Sequence, residues 1–196
     1  MKIKNKGLWI TLGIIVLVIL IIVSWLVGSY NNFVSLSQNV DSSWSEVENQ
    51  YQRQADLIPN LVSVVSSSVS VETNFVKNVI AERTSWQNAQ SQLDKDTAGQ
   101  QLNNGITALV SAVSENYPVL QANQQYVALT DELSGTQNRI ATARGRYITS
   151  IQAYDTAIKT FPGNIIAGMF GFTEKQYYQA NAGAMNTPQL GNGTLP

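Results

Sequence analysis

The stretch LWITLGIIVLVILIIVSWLVG, residues 8–28, decides the fold because it is long, apolar and free of charged side chains. A helix needs about 20 predominantly apolar residues to cross the hydrocarbon core of a bilayer, and this run supplies them. The alternative is a cleaved signal peptide, whose apolar region is shorter, about 7–15 residues, and ends in small residues. Here the run ends in Trp25, Leu26 and Val27 before Gly28. We therefore predict an uncleaved transmembrane anchor that contacts membrane lipid through residues 8–28.

The charges that flank this run predict its orientation. Lys2, Lys4 and Lys6 precede it, and no Lys or Arg follows it until Arg53. Lys and Arg near the ends of a transmembrane helix favour the cytoplasmic side. We therefore predict a single-pass protein of the cell membrane with a cytoplasmic N-terminus and an extracytoplasmic domain.

Composition excludes several classes of function. The chain has neither Cys nor His, and its 12 Lys and Arg nearly balance its 13 Asp and Glu. Nucleic acid is not an expected partner, because no cluster of cations is available to neutralise phosphates. The lack of His removes the commonest general base and most zinc and non-haem iron sites, and no dinucleotide or P-loop motif occurs. We predict no catalytic residue, no cofactor and no metal, with an all-oxygen Mg²⁺ or Ca²⁺ site as the alternative.

Apolar residues at helical spacing continue directly beyond the anchor. Spacings of three and four predict a first amphipathic helix over residues 29–54. The segment DLIPNLV, residues 56–62, then contains Pro59, which is unfavourable inside a helix but suited to a first turn. We predict a reversal near residue 56, with Asp56 capping a second helix. A kinked but unbroken helix is the alternative, because the apolar face barely changes phase across Pro59.

The same periodicity defines three helices after this reversal. The second is predicted to end near Leu93, because residues 94–99 are charged, small and typical of a turn. The third ends before Pro118, and the fourth extends from Tyr126 to Phe161 with a coiled-coil-like pattern of apolar residues.

These elements predict an all-α protein, with an N-terminal transmembrane helix followed by an antiparallel up-and-down four-helix bundle of long helices. Residues 1–28 form the Lys-rich start and the anchor, residues 29–172 the bundle domain, and residues 173–196 a flexible C-terminal tail. An extended helical rod that requires a partner is the alternative.

Several stretches of this sequence carry a resemblance to a known family. They are Tyr30-Asn31, Trp44, residues 115–118 (ENYP), residues 138–141 (NRIA), Ala143-Arg144, Tyr147, Phe161-Pro162, Ile166-Ala167 and Gly171-Phe172. The most specific is DLIPNLV directly downstream of the anchor, formed by Asp56, Leu57, Ile58, Pro59, Asn60, Leu61 and Val62. Together these residues resemble the LemA family over nearly the whole chain. The resemblance implies a bacterial membrane protein with a helical-bundle domain and no established enzymatic activity.

Arg144 is the first candidate site, because it falls among the apolar positions of the fourth helix. A buried guanidinium must be paired, since an uncompensated buried charge is destabilising by several kcal/mol. Counting along antiparallel helices puts Glu46, Glu48 and Glu82 level with it, and we predict an ion pair with one of these three. In the alternative, the stem of Arg144 covers apolar surface and its head reaches water.

The segment FPGNIIAGMFGF, residues 161–172, is the second candidate site. An even number of helices returns the chain to the bilayer, and this apolar segment is too short to span it. We predict that it contacts the membrane interface or a partner protein through Ile165, Ile166, Met169, Phe170 and Phe172. The alternative is that it closes the base of the bundle.

These observations favour a non-enzymatic membrane protein whose bundle binds other proteins or organises the envelope; its protein partners are unidentified. The runner-up is a sensor or signalling accessory, in which a ligand or stress shifts the helices and the signal passes through the anchor. The predicted cytoplasmic piece is too small for an output module, so a sensor would need a second protein.

Overall fold

The computed structural model describes residues 6–68 and 73–175, and these form six helices. They are α1 (Lys6–Ser68), α2 (Thr73–Asn88), α3 (Gln92–Asn116), α4 (Pro118–Gln121), α5 (Gln124–Lys159) and α6 (Gly163–Phe170). No strand occurs in these two ranges, so the prediction of an all-α protein with a long apolar N-terminal helix is confirmed. Lys2, Lys4 and the predicted tail from residue 176 onwards lie outside the described residues.

Helix α1 joins the apolar anchor to the folded domain without a break. It contains 63 residues, which at about 1.5 Å per residue gives a length of about 95 Å. Its apolar part includes an 18-residue window of mean hydropathy 3.1 in which no residue is buried. From Phe33 onward the apolar face of α1 is instead buried, with Val40, Val47 and Tyr51 fully inside the core. One helix is therefore a candidate membrane span at one end and the central helix of the domain at the other.

Helix α5 packs along α1 in the opposite direction. The Trp44 and Tyr147 rings lie 5.3 Å apart, centroid to centroid, and further along the pair Arg53 reaches Glu132 at 2.8 Å. The residue numbers rise on α1 as they fall on α5, as in any antiparallel pair. Buried apolar residues line both facing surfaces, so burial of these residues is the main stabilising contribution to the pair.

Helices α2 and α3 cover only the part of α1 that is remote from the anchor. Helix α3 runs parallel to α1, because Lys95 pairs with Glu48 and Gln54 donates to Asn103 further along. Helix α2 packs on α3 and runs antiparallel to α1, with Trp86 beside Tyr51. Nearer the anchor, the small helix α6 packs against α1 and α5.

The predicted reversal near residue 56 is wrong, because α1 continues through Pro59 to Ser68. Proline has no N–H, so it cannot donate to the carbonyl of Ala55 one turn earlier. That carbonyl instead accepts a hydrogen bond from Nε of Arg83 on α2, at 2.9 Å. The Ala55 carbonyl that Pro59 leaves without a helical donor thus binds α2 through Arg83. Ile58 and Leu61 of the same motif are buried in the core.

The predicted turn over residues 94–99 is also wrong, since these residues belong to the first turns of α3. Helix α2 ends at Asn88, and Ser91 begins the next helix by accepting the N–H of Asp94 at its side-chain oxygen. Small and charged residues look like a turn in isolation, but here Ala98 and Gly99 are buried within the packed helices.

The helix ends that were predicted next to Pro118 and Pro162 agree with the structure. Helix α3 ends before Pro118, and α5 is a single helix from Gln124 to Lys159 that ends before a cis Phe161–Pro162 bond. The described start of the predicted tail is attached to the helices: Tyr154 donates to the carbonyl of Thr173, and the N–H of Lys175 donates to Asp155.

We expect Arg83 and Pro59 to be energetically coupled. Arg83→Met removes the donor to the buried Ala55 carbonyl and should lower the free energy of unfolding by about 2 kcal/mol, the range for a hydrogen bond from a charged group. In a Pro59→Ala background the alanine supplies a backbone N–H that can bond that carbonyl, so the same change should have a much smaller effect. A double-mutant cycle by chemical denaturation measures the difference. Equal losses in the two backgrounds would contradict this role for Pro59.

Candidate functional site

Asp96 is a buried carboxylate at the junction of three helices. It lies in the second turn of α3 and is only 1% exposed. The Tyr51 hydroxyl on α1 donates to its Oδ1 at 3.3 Å, and Nη2 of Arg144 on α5 lies 3.5 Å from its Oδ2. Gln100, one turn further along α3, donates to the same Oδ2. Through these contacts one side chain connects α1, α3 and α5.

The close approach of α1 and α3 at this point requires a glycine. A Cβ atom at Gly99 would lie 2.5 Å from Cε1 of the Tyr51 ring, which real structures do not allow. Tyr51 is fully buried, and its hydroxyl reaches Asp96 because the ring lies against the Gly99 backbone. Gly99, which was predicted to lie in a turn, therefore leaves the space that the Tyr51 ring needs to reach Asp96.

Additional polar pairs surround this junction. Lys95 pairs with Glu48, and its Nζ lies 5.7 Å from the centroid of the Trp86 ring. Gln54, itself buried, donates to Asn103. We name Tyr51, Gln54, Asp96, Gln100, Asn103 and Arg144 the buried polar cluster.

Burial controls the protonation of the cluster. It raises the pKa of Asp96 from 3.8 to about 6, although Arg144 and the hydrogen bonds from Gln100 and Tyr51 oppose the rise. Burial first, and the Asp96 carboxylate second, raise the pKa of Tyr51, so this phenol stays protonated and acts as a donor. An acid with a pKa near 6 changes its charge close to neutral pH.

The predicted partners of Arg144 are paired elsewhere or lie apart. Arg144 forms its ion pair with Asp96, whereas Glu46 pairs with Arg146 at 2.5 Å and Glu48 pairs with Lys95. Our count along the helices assumed a reversal near residue 56, which α1 does not make. The sequence did contain an indication that Asp96 is buried. It lies three residues before position 99 and so extends the buried helical face formed by residues 99, 102, 106, 109 and 113.

Glu82, the third predicted partner, lies over Gly105 of α3. Burial raises its pKa, and its Oε2 has no hydrogen-bond partner among residues 6–68 and 73–175. A Cβ at Gly105 would overlap this carboxyl group, so the glycine leaves room for it.

A second polar surface is a groove between α1 and α5 to which α3 contributes no residue. We name it the α1–α5 groove, and its lining residues are Glu46, Gln50, Asn138, Arg139, Thr142 and Arg146. Arg139 and Arg53 both pair with Glu132 at 2.8 Å beside it. The side-chain oxygen of Gln50 is buried with no hydrogen-bond partner in the described part of the chain.

The five predicted contact residues of the 161–172 segment divide between the core and the surface. Ile166 is fully buried and Phe172 is half-buried, and Phe172 packs edge-on against Tyr30 and Phe33. Ile165, Met169 and Phe170 are exposed by 55%, 66% and 52%. Helix α6 thus closes the base of the core with one face and leaves the other face uncovered by the described residues.

The described residues offer a polar surface between two helices and a buried acid that can take up a proton. Among residues 6–68 and 73–175, no three Asp or Glu side chains cluster so as to hold a metal ion. Asp96 is enclosed, and its neighbours are donors that stabilise it in place.

We expect Asp96 to make stability depend on pH. Because its pKa is about 6 in the folded chain against 3.8 when unfolded, the folded state holds the extra proton between these values. The free energy of unfolding should therefore fall as pH rises through this window, by about 3 kcal/mol. Asp96→Asn should remove that fall, measured by denaturation of the full-length protein in bilayer nanodiscs between pH 4 and 7.5.

The matched control is Asp131→Asn, which changes an exposed carboxylate on α5 and should keep the pH dependence of the unaltered protein. If Asp96→Asn also keeps it, burial of Asp96 does not control the titration.

Most of the chain matches the sequence model of a known protein family. The LemA family model matches residues 43–191, which includes the buried polar cluster and most of the segment predicted to be a tail. The match begins after the anchor and extends close to the C-terminus.

Three relatives have names that refer to the magnetosome. Magnetosome proteins MamQ 1 and MamQ 2 of Paramagnetospirillum magneticum are each 27% identical over 209 residues, covering 92% of this chain and 77% of theirs. Magnetosome protein MamQ of Magnetospirillum gryphiswaldense is 24% identical, covering 94% of this chain and 78% of its own. Because the family model matches well over half of the chain, this membrane-associated helical protein belongs to the LemA family.

Proposed function

We propose that this protein is a non-catalytic scaffold that presents its helical domain to other proteins of the cell envelope. The observation that carries the proposal is the unbroken course of α1 from the anchor to Ser68. Residues 28–68 of this helix extend about 60 Å at 1.5 Å per residue. A partner bound to the domain would therefore be held at a defined distance and angle from the bilayer.

The α1–α5 groove is the proposed surface for such a partner. It offers carboxylate, amide and guanidinium groups from two helices, and the buried oxygen of Gln50 is an acceptor that a partner could satisfy. Its ion pairs are exposed and thus individually weak, so exchange for pairs with another protein has little energetic penalty.

Composition supports a non-catalytic role. The absence of His and Cys removes the side chains on which most general-base and thiol chemistry depends. None of the three relatives' names states an enzymatic activity. The domain would lie outside the cytoplasm, as the three lysines before the anchor favour.

A second candidate function is a sensor. It is favoured by the position of Asp96 at the junction of α1, α3 and α5, since a change of charge there would alter the contacts of three helices at once. Such a sensor would respond to pH near 6 and would need a second protein to receive the signal.

Photo-crosslinking in the organism's own membranes tests both functions. A benzophenone amino acid at Thr142, in the groove, should give discrete adducts with envelope proteins, whereas the same group at Gln101, exposed on α3, should not. Adducts that form at pH 7.5 but not at pH 5.5 would favour the sensor over a constant scaffold. Equal labelling from Thr142 and Gln101, or adducts with cytoplasmic proteins, would contradict the proposed surface or the proposed orientation.

A further inference from the structure

Helix α6 has two apolar faces, and among residues 6–68 and 73–175 only one of them packs against the core. Ile166 and Ala167 point into the domain and are buried. Ile165, Met169 and Phe170 lie on the other face, each more than half exposed, and Phe161 before the helix is 80% exposed. An eight-residue helix that is apolar on both sides is unusual at a water-facing surface.

The position of α6 relates this exposed face to the anchor. The Phe170 ring packs edge-on against Tyr30 of α1, with centroids 5.1 Å apart. Val27 is the last exposed large apolar residue of the anchor. Tyr30 follows it by three residues, which corresponds to about 4.5 Å along the helix. Close packing of α6 at this level requires a glycine at position 163, because a Cβ at Gly163 would overlap the Ala157 carbonyl oxygen.

The segment around α6 differs from the rest of the domain in having no charged side chains. Residues 160–172 contain no Asp, Glu, Lys or Arg. The ion pairs nearest in sequence to α6, Lys159 with Glu174 and Lys175 with Asp41, occur at its flanks rather than on its exposed face. Aromatic and aliphatic side chains on a short helix, next to the end of a transmembrane helix, are typical of the interface between lipid headgroups and acyl chains.

We propose that α6 lies in the surface of the same bilayer that holds the anchor, with Phe161, Ile165, Met169 and Phe170 inserted among the lipids. The occupant of the exposed face is lipid rather than a protein, because this face is continuous with the lipid-exposed surface of α1 through Tyr30. A second contact with the bilayer fixes the rotation of the domain about α1, which a single transmembrane helix leaves undetermined. This inference does not depend on the proposed function or on which side of the membrane the domain lies.

Site-directed spin labelling tests the proposal, since the natural chain has no cysteine. Single cysteines at Phe161, Ile165 and Met169 carry a nitroxide in the full-length protein, reconstituted in phosphatidylcholine–phosphatidylglycerol vesicles. Val119 on α4 is the matched control, because it is also 80% exposed but lies where α3 connects to α5, away from the anchor. Circular dichroism and thermal unfolding verify that each labelled variant keeps its fold.

Power saturation measures the collision of each label with oxygen, which concentrates in lipid, and with a water-soluble nickel chelate. The labels on α6 should show an oxygen-to-nickel accessibility ratio several-fold above that at Val119. A ratio equal to that at Val119 at all three sites would overturn the proposal, because the face would then be in water. Exclusion of both reagents would also overturn it and would indicate that protein rather than lipid covers this face.

Discussion

The unbroken backbone of α1 is the constraint on which the rest of the structure depends. It extends from the apolar anchor to Ser68 as one helix, so no non-helical segment separates the candidate transmembrane segment from the domain. Helix α5 follows α1 in the opposite direction and returns the chain to the anchor, where α6 packs. The bond that is missing at Pro59 is replaced from outside the helix by Arg83. The proline therefore attaches α2 to α1 without dividing α1 into two helices.

Apolar burial stabilises the domain, but the buried polar cluster determines how the helices align. Apolar residues recur at spacings of three and four along these helices, and such a repeat specifies register less strictly than a buried polar contact does. Asp96 tolerates no slide of one helix along another, because its donors come from α1, α3 and α5 at fixed heights. We interpret the cluster as a device that fixes register: burial disfavours the charged form of Asp96, and Arg144, Gln100 and Tyr51 oppose this effect.

Sequence reasoning succeeded where the physical signal is local. The apolar anchor, the helix ends at Pro118 and Pro162 and the long periodic α5 all follow from rules that involve neighbouring residues. It failed at Pro59, because the donor that makes an internal proline tolerable lies 24 positions away at Arg83. It failed at Asp96 for a similar reason: Gly99 looks like a turn residue unless the Tyr51 ring that covers it is known. For Arg144 the sequence left both an ion pair and a water-exposed head open, and its contact with Asp96 depends on the packing of α3.

Helix α1 is one continuous connection between the candidate membrane span and the domain, and a distance measured along it tests this most directly. Nitroxides on cysteines at Ser24 and Ser66, measured by pulsed electron spin resonance in bilayer nanodiscs, should give one narrow distribution near 63 Å for 42 residues at about 1.5 Å each. A chain that reversed near residue 56 would instead bring Ser66 back to about 33 Å from Ser24. A narrow peak near the longer distance supports a rigid anchor and scaffold, whereas the shorter distance or a broad distribution would contradict it.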